Sequence, residues 1–334
     1  MPAAASAVRL TFACGLYDRM VPLYTGDVRP EGIDLDFLAI DSPREIFDRM
    51  AGAQAFDASE MSISEMITRI SARQCPFVAI PAFPSRCFRH GFITVNRRAV
   101  RAPKDLEGKS IGVALYTQTA AVFMRGLLAE DYGVDFSGVR WVEGAINQAA
   151  PHGRPTVLPV LRQVPITAND TGRSLSDLLA AGEIDAILGT SLPASIRTSP
   201  DVVRLFPDFR EREKDYYRRT RVFPIMHTVA IRRDVYAAHP FVAQSLYAAL
   251  TAAKDRALEK MRYLGALRYM LPWLTADVDE IDELFDGDPW PYGIEPNRPT
   301  LEAAIRYLHD QGMIAAPLAV EDVFEPLRDG RRFE

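Results

Sequence analysis

The sequence predicts an α/β protein with two lobes, the second inserted into the first. Short apolar runs alternate with segments of helical periodicity, which is the pattern of α/β folds. The chain has 334 residues, more than one ordinary hydrophobic core holds. Strand-like segments near 91–99 and 223–233 flank the middle of the chain, and they would carry it from one lobe to the other and back.

The first lobe is predicted to comprise residues 1–98 and 226–334. Its N-terminal part alternates between strands and helices. Ser42 is suited to cap a helix over 42–53, because its hydroxyl can accept a hydrogen bond from a free N–H at the helix start. The other predicted elements are, in order, the strands VRLTFACG, IDLDFLAI and FDASEMS, the helix ISEMITRISARQ and the strand FVAIPAFP.

The second lobe is predicted to comprise residues 99–225. The strand SIGVAL leads into a polar corner at 116–119 and then into a long helix. Residues 148–172 are rich in proline and are predicted to be irregular. SLSDLLAAGEIDAILG predicts a capped helix followed by a strand. The strongly charged segment 208–222 predicts a solvated helix or loop.

The chain then returns to the first lobe through the strand FPIMHTVAIRR. Residues 241–271 show long helical periodicity, and TLEAAIRYLHDQGMI predicts a final capped helix. Between them DPWPYGIEPNR predicts an ordered loop, since its prolines exclude regular structure and its aromatic side chains favour order. This layout is that of the type II periplasmic-binding-protein fold, in which a ligand lies between the two lobes.

Composition excludes several classes of partner. The net charge is −5 and no long basic run occurs, which argues against nucleic-acid binding. No stretch approaches the roughly 20 apolar residues that cross a bilayer. MPAAASAVRLTFACG does not have the pattern of a secretory signal, so we expect a cytoplasmic protein, and the sequence leaves a homo-oligomer open. Cys14, Cys75 and Cys87 have no metal-type spacing and are expected to be reduced, buried thiols.

The strongest candidate for a site is the cation cluster in PSRCFRHGFITVN. Arg86, Arg89 and His90 precede a strand there, and buried cations are costly unless an anion meets them. A guanidinium suits a planar carboxylate, to which it donates two parallel hydrogen bonds. His227 leads into a later strand, so we expect it to converge with His90 on a cleft that binds a small acid. Each of these residues could also be an ordinary buried or paired group.

Further candidates lie at corners where strands end. Ser59 and Glu60 stand at a strand-to-helix corner, and Glu60 is the better candidate for a proton donor or a histidine partner. A corner that opens a helix exposes unpaired N–H groups, which suit a carboxylate. The remaining candidates for substrate binding are Tyr116, Thr117 and Thr119 at such a corner, Tyr17 and Arg19 after the first strand, and Trp290 in the proline-rich loop.

No metal or cofactor is predicted. A divalent metal held by His90, His227 and Glu60 is chemically reasonable, but no spacing supports it. The sequence contains no GxGxxG, GxxxxGK[ST], GxSxG or HExxH motif, so dinucleotide, P-loop, hydrolase and zinc-protease chemistry have no support.

Several blocks occur in order from about residue 56 to residue 312: PSRCFRHGFITVN, DLEGKSIGVALYTQTAAVFMRGLLAEDYGV, SLSDLLAAGEIDAIL, RLFPD, FPIMHTVAI and DPWPYGIEPNR. In these blocks the sequence resembles the 4,5-dihydroxyphthalate decarboxylase family. DPWPYG and PIMHT are the specific blocks, whereas DLEGKSIGV is shared with solute-binding proteins. Residues 141–166 and 188–196 depart from the family pattern. The resemblance implies a cytoplasmic enzyme with a binding-protein fold that converts 4,5-dihydroxyphthalate to protocatechuate and CO2.

Such a reaction needs an acid over the ring, a base at the phenol and a clamp for the spectator carboxylate. We expect Arg86 and Arg89 to bind the carboxylates of a small aromatic acid, helped by Thr117 and Thr119. Either His90 or His227 would be the acid, and the other histidine or Glu60 would hold the phenol.

Two rival functions remain open from the sequence. One is a non-catalytic solute-binding protein for an aromatic or sulfonated acid. The other is an enzyme like the thiamine-precursor synthases, which would need an iron site made of histidine and cysteine, and the sequence shows no such cluster.

Overall fold

The chain folds into two mixed β-sheets with helices packed around them, which confirms the predicted α/β class. The structure is a computed structural model that describes residues 7–149 and 155–325. The strands are β1 Val8–Cys14, β2 Ile33–Ala39, β3 Ala58–Ser62, β4 Phe77–Arg86, β5 Ile93–Asn96, β6 Ser110–Val113, β7 Arg140–Glu143, β8 Ile166–Ala168, β9 Ala186–Leu188, β10 Val202–Arg204 and β11 Ile225–Arg232.

The helices lie between and around these strands. Their bounds are α1 Val21–Tyr24, α2 Pro43–Ala51, α3 Ile63–Ser71, α4 Thr119–Tyr132, α5 Leu175–Ala181, α6 Phe209–Thr220, α7 Arg233–Ala238, α8 Phe241–Arg262, α9 Leu274–Leu284 and α10 Arg298–Asp310. The charged segment predicted as a helix or loop is therefore helix α6. The predicted cap of α2 is confirmed, because the Glu45 N–H donates to the Ser42 hydroxyl at 3.3 Å.

The first sheet has the order β2-β1-β3-β11-β4. Strands β1, β2 and β3 run parallel, as expected for strands joined by helices. Strand β11 comes from much later in the chain and pairs antiparallel with both β3 and β4. His227 on β11 therefore stands beside Ser62 at the end of β3 and Ser85 near the end of β4.

The second sheet has the order β10-β5-β9-β6-β7-β8. Sheet membership changes between Arg86 and Ile93, and it changes back between Arg204 and Ile225. Strand β5 pairs with β9 and β10, so it belongs to the second sheet, whereas β11 belongs to the first. The lobe boundaries at 98/99 and 225/226 stay predictions.

Helices α4 and α10 pack against each other at Gly126. A Cβ built on Gly126 would overlap the ring of Tyr307, so only glycine allows this close approach. The Nε2 of Gln311, just after α10, donates to the Val122 carbonyl at 2.9 Å. These contacts fix α10 against α4, the helix that follows β6.

Two predicted elements differ from the structure. The long helix predicted over 241–271 ends at Arg262, because Met270 and Trp273 beyond it are 101% and 76% exposed and have no core to pack against. The segment predicted as irregular over 148–172 contains β8 near its end, where Trp141 of β7 supplies a parallel neighbour. Residues 150–154 of that segment lie outside the described part of the chain.

Candidate active site

A cavity of about 350 Å³ lies where the two sheets face each other. The first sheet and its helices contribute the start of α2, the β3–α3 corner, the end of β4 and His227 of β11. The second contributes the β6–α4 corner and residues 157–159. The volume of the cavity falls within the range of small-molecule sites. The sequence-based prediction of a cleft between two α/β units therefore has a specific location.

His227 is the ionisable ring on the cavity wall. Its Nδ1 lies 2.8 Å from Oε2 of Glu60, and its side chain is 15% exposed, while that of Glu60 is fully buried. Because the carboxylate accepts, Nδ1 carries the hydrogen and Nε2 is left for the cavity. The ring also packs edge-on against Phe47 at 4.9 Å between centroids, which fixes its orientation.

Glu60 is held ionised by the groups around it. Burial by itself would raise the pKa of this carboxyl, but the hydrogen bond and charge of His227 oppose that effect. The Gly15 N–H donates to Oε1 at 2.8 Å and the Tyr17 hydroxyl donates to Oε2 at 3.1 Å, and both lower the pKa further. The net result is a pKa below the ordinary value of a glutamate. Tyr17 thus lies behind the histidine, with its own pKa raised by burial and by Glu60.

Two arginines line the same cavity. Arg89 is buried, and its Nε has no hydrogen-bond partner in the described part of the chain. Burial lowers the pKa of its guanidinium, which is the signature of a cation that an anion would stabilise. Arg44, at the start of α2, is paired with Asp48 at 2.9 Å and with Glu65 at 3.3 Å.

Hydroxyl groups and helix N-termini form the floor where the two sheets meet. The Thr119 hydroxyl lies 3.0 Å from that of Ser62 and 2.8 Å from that of Ser64. Helices α3 and α4 both begin here, so two positive helix ends converge on the cavity. At the start of α3, the N–H groups of Ser64 and Glu65 already donate to hydroxyls, whereas α4 has no side-chain cap. Thr117 lines it as well. The arrangement suits an anion with hydroxyl substituents.

His90 lies elsewhere. It is 1% exposed, does not line the cavity, and packs against the rings of Phe206 and Tyr216 at 5.6 and 5.3 Å. Burial lowers its pKa to about 4. Its Nδ1 is 3.9 Å from Glu213, beyond hydrogen-bond distance. The structure does not bring His90 and His227 together in one cleft.

Arg86 also points away from the cavity. Its guanidinium donates to the Asn297 side chain and lies 5.2 Å from the ring centroid of Phe223. Burial lowers its pKa to about 10. Of Arg86 and Arg89, only Arg89 faces the cavity. The two side chains diverge because the chain leaves the first sheet after Arg86 and enters the second.

Four further candidates lie outside the cavity. Ser59 is buried next to Glu60, and no partner for its hydroxyl lies among the described residues. Tyr116 packs against Trp141 at 5.2 Å and lines a separate groove. The Arg19 guanidinium lies 4.4 Å from the ring centroids of both Tyr17 and Trp290, and Arg19 and Trp290 line a different cavity near α8 and α9. What these residues do for a substrate stays a prediction.

Relatives of known name were found by sequence comparison. The chain is 34% identical over 323 residues to a 4,5-dihydroxyphthalate decarboxylase of Comamonas testosteroni, covering 96% of this chain and 97% of that protein. The chain belongs to the 4,5-dihydroxyphthalate decarboxylase family. A second relative of the same name, from Pseudomonas putida, is 36% identical over 219 residues, covering 65% of this chain and 84% of that protein. No protein-family model matches. The resemblance seen in the sequence blocks is confirmed.

Solved structures show the same fold as this decarboxylase-family chain. An alkanesulfonate-binding protein of Xanthomonas axonopodis pv. citri matches with a TM-score of 0.52 at 12% identity, over 96% of this chain and 99% of that one. The periplasmic aliphatic sulphonate binding protein of Escherichia coli matches with a TM-score of 0.52 at 11% identity, over 99% and 96%. The predicted periplasmic-binding-protein-like fold is confirmed. Within residues 7–149 and 155–325, no helix has the length and apolar character needed to span a bilayer.

Several residues of the decarboxylase-family cavity were missed from the sequence. They are Arg44, Phe47, Ser62, Ser64, Glu65 and the apolar residues 157–159. A signal was available for Arg44, because it lies at the start of a helix shortly after a strand, and such corners line clefts in α/β folds. Residues 157–159 are irregular, so nothing in their local pattern indicates which lobe they contact.

The metal set weighed from the sequence is not assembled, because His90 is remote from the Glu60–His227 pair. Among residues 7–149 and 155–325, no group of three or more His, Cys, Asp or Glu side chains is placed to hold a metal ion. The chemistry that the described cavity can perform rests on a histidine–carboxylate pair, two arginines and hydroxyl groups.

Proposed function

We propose that this protein removes CO2 from a hydroxylated aromatic acid and that its substrate is 4,5-dihydroxyphthalate, which it converts to protocatechuate. The observation that carries the proposal is the pairing of His227 with an ionised, buried Glu60 on the wall of an anion-binding cavity. The names of the two relatives support the choice of reaction.

The substrate is a dianion whose two carboxylates need cationic partners. Within residues 7–149 and 155–325, the Nε of Arg89 has no hydrogen-bond partner and no carboxylate lies within ion-pair distance of its guanidinium, so Arg89 is the first partner. The N-termini of α3 and α4, with Thr117 and Thr119, are suited to the second carboxylate. The hydroxyls of Ser62 and Ser64 can bond the phenols.

His227 is the proton donor in this proposal. Its imidazolium, stabilised by Glu60, gives the Nε2 proton to the ring carbon that bears the departing carboxylate. The para hydroxyl supplies electron density to the protonated ring. The carbon–carbon bond to the carboxylate then breaks, its electron pair returns to the ring, and CO2 leaves. One proton is consumed for each CO2 released, so atoms and charge balance.

We assign the proton step to His227 rather than His90. His90 is enclosed by aromatic rings, its pKa lies about 4, and it does not line the cavity. A group that reaches neither substrate nor water during turnover cannot exchange its proton. Glu60 acts through His227, which makes it a positioning residue.

The experiment that tests the function is turnover of 4,5-dihydroxyphthalate by the purified protein, followed by CO2 release and by the product spectrum. A single equivalent each of CO2 and protocatechuate per substrate is expected. The second candidate is a non-catalytic binding protein, which the fold shared with sulfonate-binding proteins favours. Tight binding of the acid without CO2 release would select that candidate.

We further propose a cytoplasmic location and the lobe division given by the sequence. The free thiols of Cys14, Cys75 and Cys87 support a reducing compartment. The change of sheet between β4 and β5 and between β10 and β11 supports a second lobe inserted in the first. Fractionation of cells that express the untagged protein tests the location.

A further inference from the structure

Residues 155–165 form an irregular segment, here called the strap, between β7 and β8 of the second sheet. Its last residue, Pro165, accepts from the Trp141 N–H of β7, but two earlier residues bond to the other side of the cavity. The Thr156 N–H and hydroxyl both donate to Oδ1 of Asp48 on α2, at 3.0 and 3.1 Å. Further along, the Leu161 N–H donates to the Gly312 carbonyl beyond α10, at 2.8 Å. The strap therefore bridges the two lobes.

The strap closes a ring of hydrogen bonds around α2 and α3. Asp48 accepts from Arg44 at 2.9 Å, and Arg44 also contacts Glu65 at 3.3 Å. Glu65 accepts from Arg69 at 3.0 Å, and the Arg69 guanidinium donates to the Thr156 carbonyl. The ion pairs thus form a chain from Asp48 to Arg69. Thr156 bonds to Asp48 through its N–H and hydroxyl, and to Arg69 through its carbonyl.

Burial makes this ring costly to open. The side chains of Glu65 and Arg69 are 2% and 9% exposed. A buried charge that loses its partner pays a desolvation cost that water does not offset. If the strap moved away, Asp48 and Arg69 would each lose their hydrogen bonds to Thr156. The ring of hydrogen bonds, here called the latch, therefore favours the position in which the strap covers the cavity.

The strap also supplies an apolar wall to the cavity. Val157, Leu158 and Pro159 line it, whereas the β3–α3 and β6–α4 corners contribute hydroxyls and N–H groups. An aromatic ring needs an apolar surface for its face and polar groups only at its edge. The strap is thus one apolar surface suited to that face, beside Phe47 and Met226 on other parts of the wall.

We propose that the strap determines which aromatic ring the site accepts, with Leu158 as a specificity-determining residue and Asp48 as a positioning residue that couples the strap to Arg44. Arg44 belongs both to the cavity wall and to the latch, so a carboxylate held near Arg44 and the seating of the strap depend on each other. The identity of the substrate's aromatic ring rests on the proposed function, whereas the hydrogen bonds of the latch do not depend on it.

The latch is tested without turnover by hydrogen exchange of the intact protein. In Asp48→Ala and in Asp48→Asn, the amides of Thr156, Val157 and Leu158 should exchange about tenfold faster than in the unmodified protein, and most in the alanine variant. Glu45→Gln is the matched control, because Glu45 lies on the same helix in an exposed pair with Arg49, outside the ring. Unchanged exchange in both Asp48 variants, with melting temperatures showing folded protein, would overturn the latch.

Specificity is tested with Leu158→Ala and two substrates, 4,5-dihydroxyphthalate and its 3-methyl derivative. The ratio of kcat/KM for the methylated over the parent acid should rise about tenfold, the size expected for one methyl group in an apolar pocket. A ratio within twofold of the unmodified protein would overturn the specificity role. Absence of turnover with either acid in the unmodified protein contradicts the proposed function instead, and the exchange experiment still decides the latch.

Discussion

Nδ1 of His227 lies 2.8 Å from Oε2 of Glu60, and these two residues come from strands that are neighbours in space although 167 positions apart in sequence. The carboxylate is buried and receives further hydrogen bonds from Gly15 and Tyr17. It therefore fixes both the tautomer of the ring and the direction of Nε2. The structure therefore holds the His227 ring in one orientation on the cavity wall.

Glu60→Gln should lower kcat about 100-fold while changing KM little, because the amide keeps the shape but loses the charge that stabilises the imidazolium. Steady-state kinetics of both proteins at pH 7 measure the two constants. Full activity in the variant would show that Glu60 has only a structural role.

Tyr17→Phe removes one of the donors that lower the pKa of Glu60. Because a depressed carboxyl pKa keeps Glu60 ionised as pH falls, the variant should lose activity at a higher pH on the acidic side than the unmodified protein. We expect the activity at neutral pH to fall only severalfold. A loss as large as in Glu60→Gln would mean that Tyr17 itself contacts the substrate.

Arg89 and Arg86 form a matched pair of buried arginines. Arg89→Gln should raise KM tenfold or more with a small change in melting temperature, since its guanidinium faces the cavity. Arg86→Gln should instead destabilise the fold, because it leaves the buried Asn297 side chain without this donor. Steady-state kinetics and thermal unfolding on both variants separate the two roles, and the reverse assignment would contradict the account.

His90 should affect stability rather than turnover. Its pKa is about 4 in the folded protein against 6.5 ordinarily, so between these values the unfolded state binds more protons and stability falls as pH falls. The loss amounts to about 3 kcal/mol over that window. Burial raises the pKa of Glu213 to about 7, so this group increases stability as pH falls and opposes the effect of His90. The contribution of His90 is therefore obtained by comparing variants that all keep Glu213.

The measurement is urea unfolding of the unmodified protein, His90→Phe and His90→Asn at pH 7 and pH 4.5. Both variants should lose less stability on acidification than the unmodified protein, and both should keep most of the turnover at pH 7. An equal pH dependence in all three proteins would contradict the assignment of His90 as a buried neutral group.

Gly126→Ala should destabilise the fold by about 1–3 kcal/mol, because the added methyl group would overlap the Tyr307 ring between α4 and α10. Gly138→Ala is the control, since a Cβ there meets only atoms at 3.7 Å or beyond. Denaturant midpoints measure the difference. Equal midpoints would show that α10 can shift without cost.

Local patterns were enough to predict most of the strands, the cap at Ser42 and the polar corner before α4. These features depend on residues that are neighbours in sequence. The helix predicted beyond Arg262 was wrong because periodicity says nothing about whether a core is available to pack against. The strap could not be predicted, since its contacts with Asp48 and Gly312 join distant parts of the chain.

The composition of the site was predictable only in part. Arg86, Arg89 and His90 are close in sequence, yet the chain passes from one sheet to the other among them and only Arg89 reaches the cavity. Glu60 was recognised as a possible partner of a histidine, and the pairing of β3 with β11 decides that the histidine is His227. Sequence proximity alone does not specify which side chains converge.

The central claim is that His227 delivers a solvent-derived proton to the ring carbon that loses CO2. The most direct test is turnover of 4,5-dihydroxyphthalate in D2O by the unmodified protein and by His227→Asn, with CO2 measured and the product examined by NMR. We predict one deuterium at the vacated carbon of protocatechuate and a fall in rate of at least 100-fold in the variant. Undiminished CO2 release by His227→Asn, or binding of the acid without CO2 release by the unmodified protein, would contradict the account.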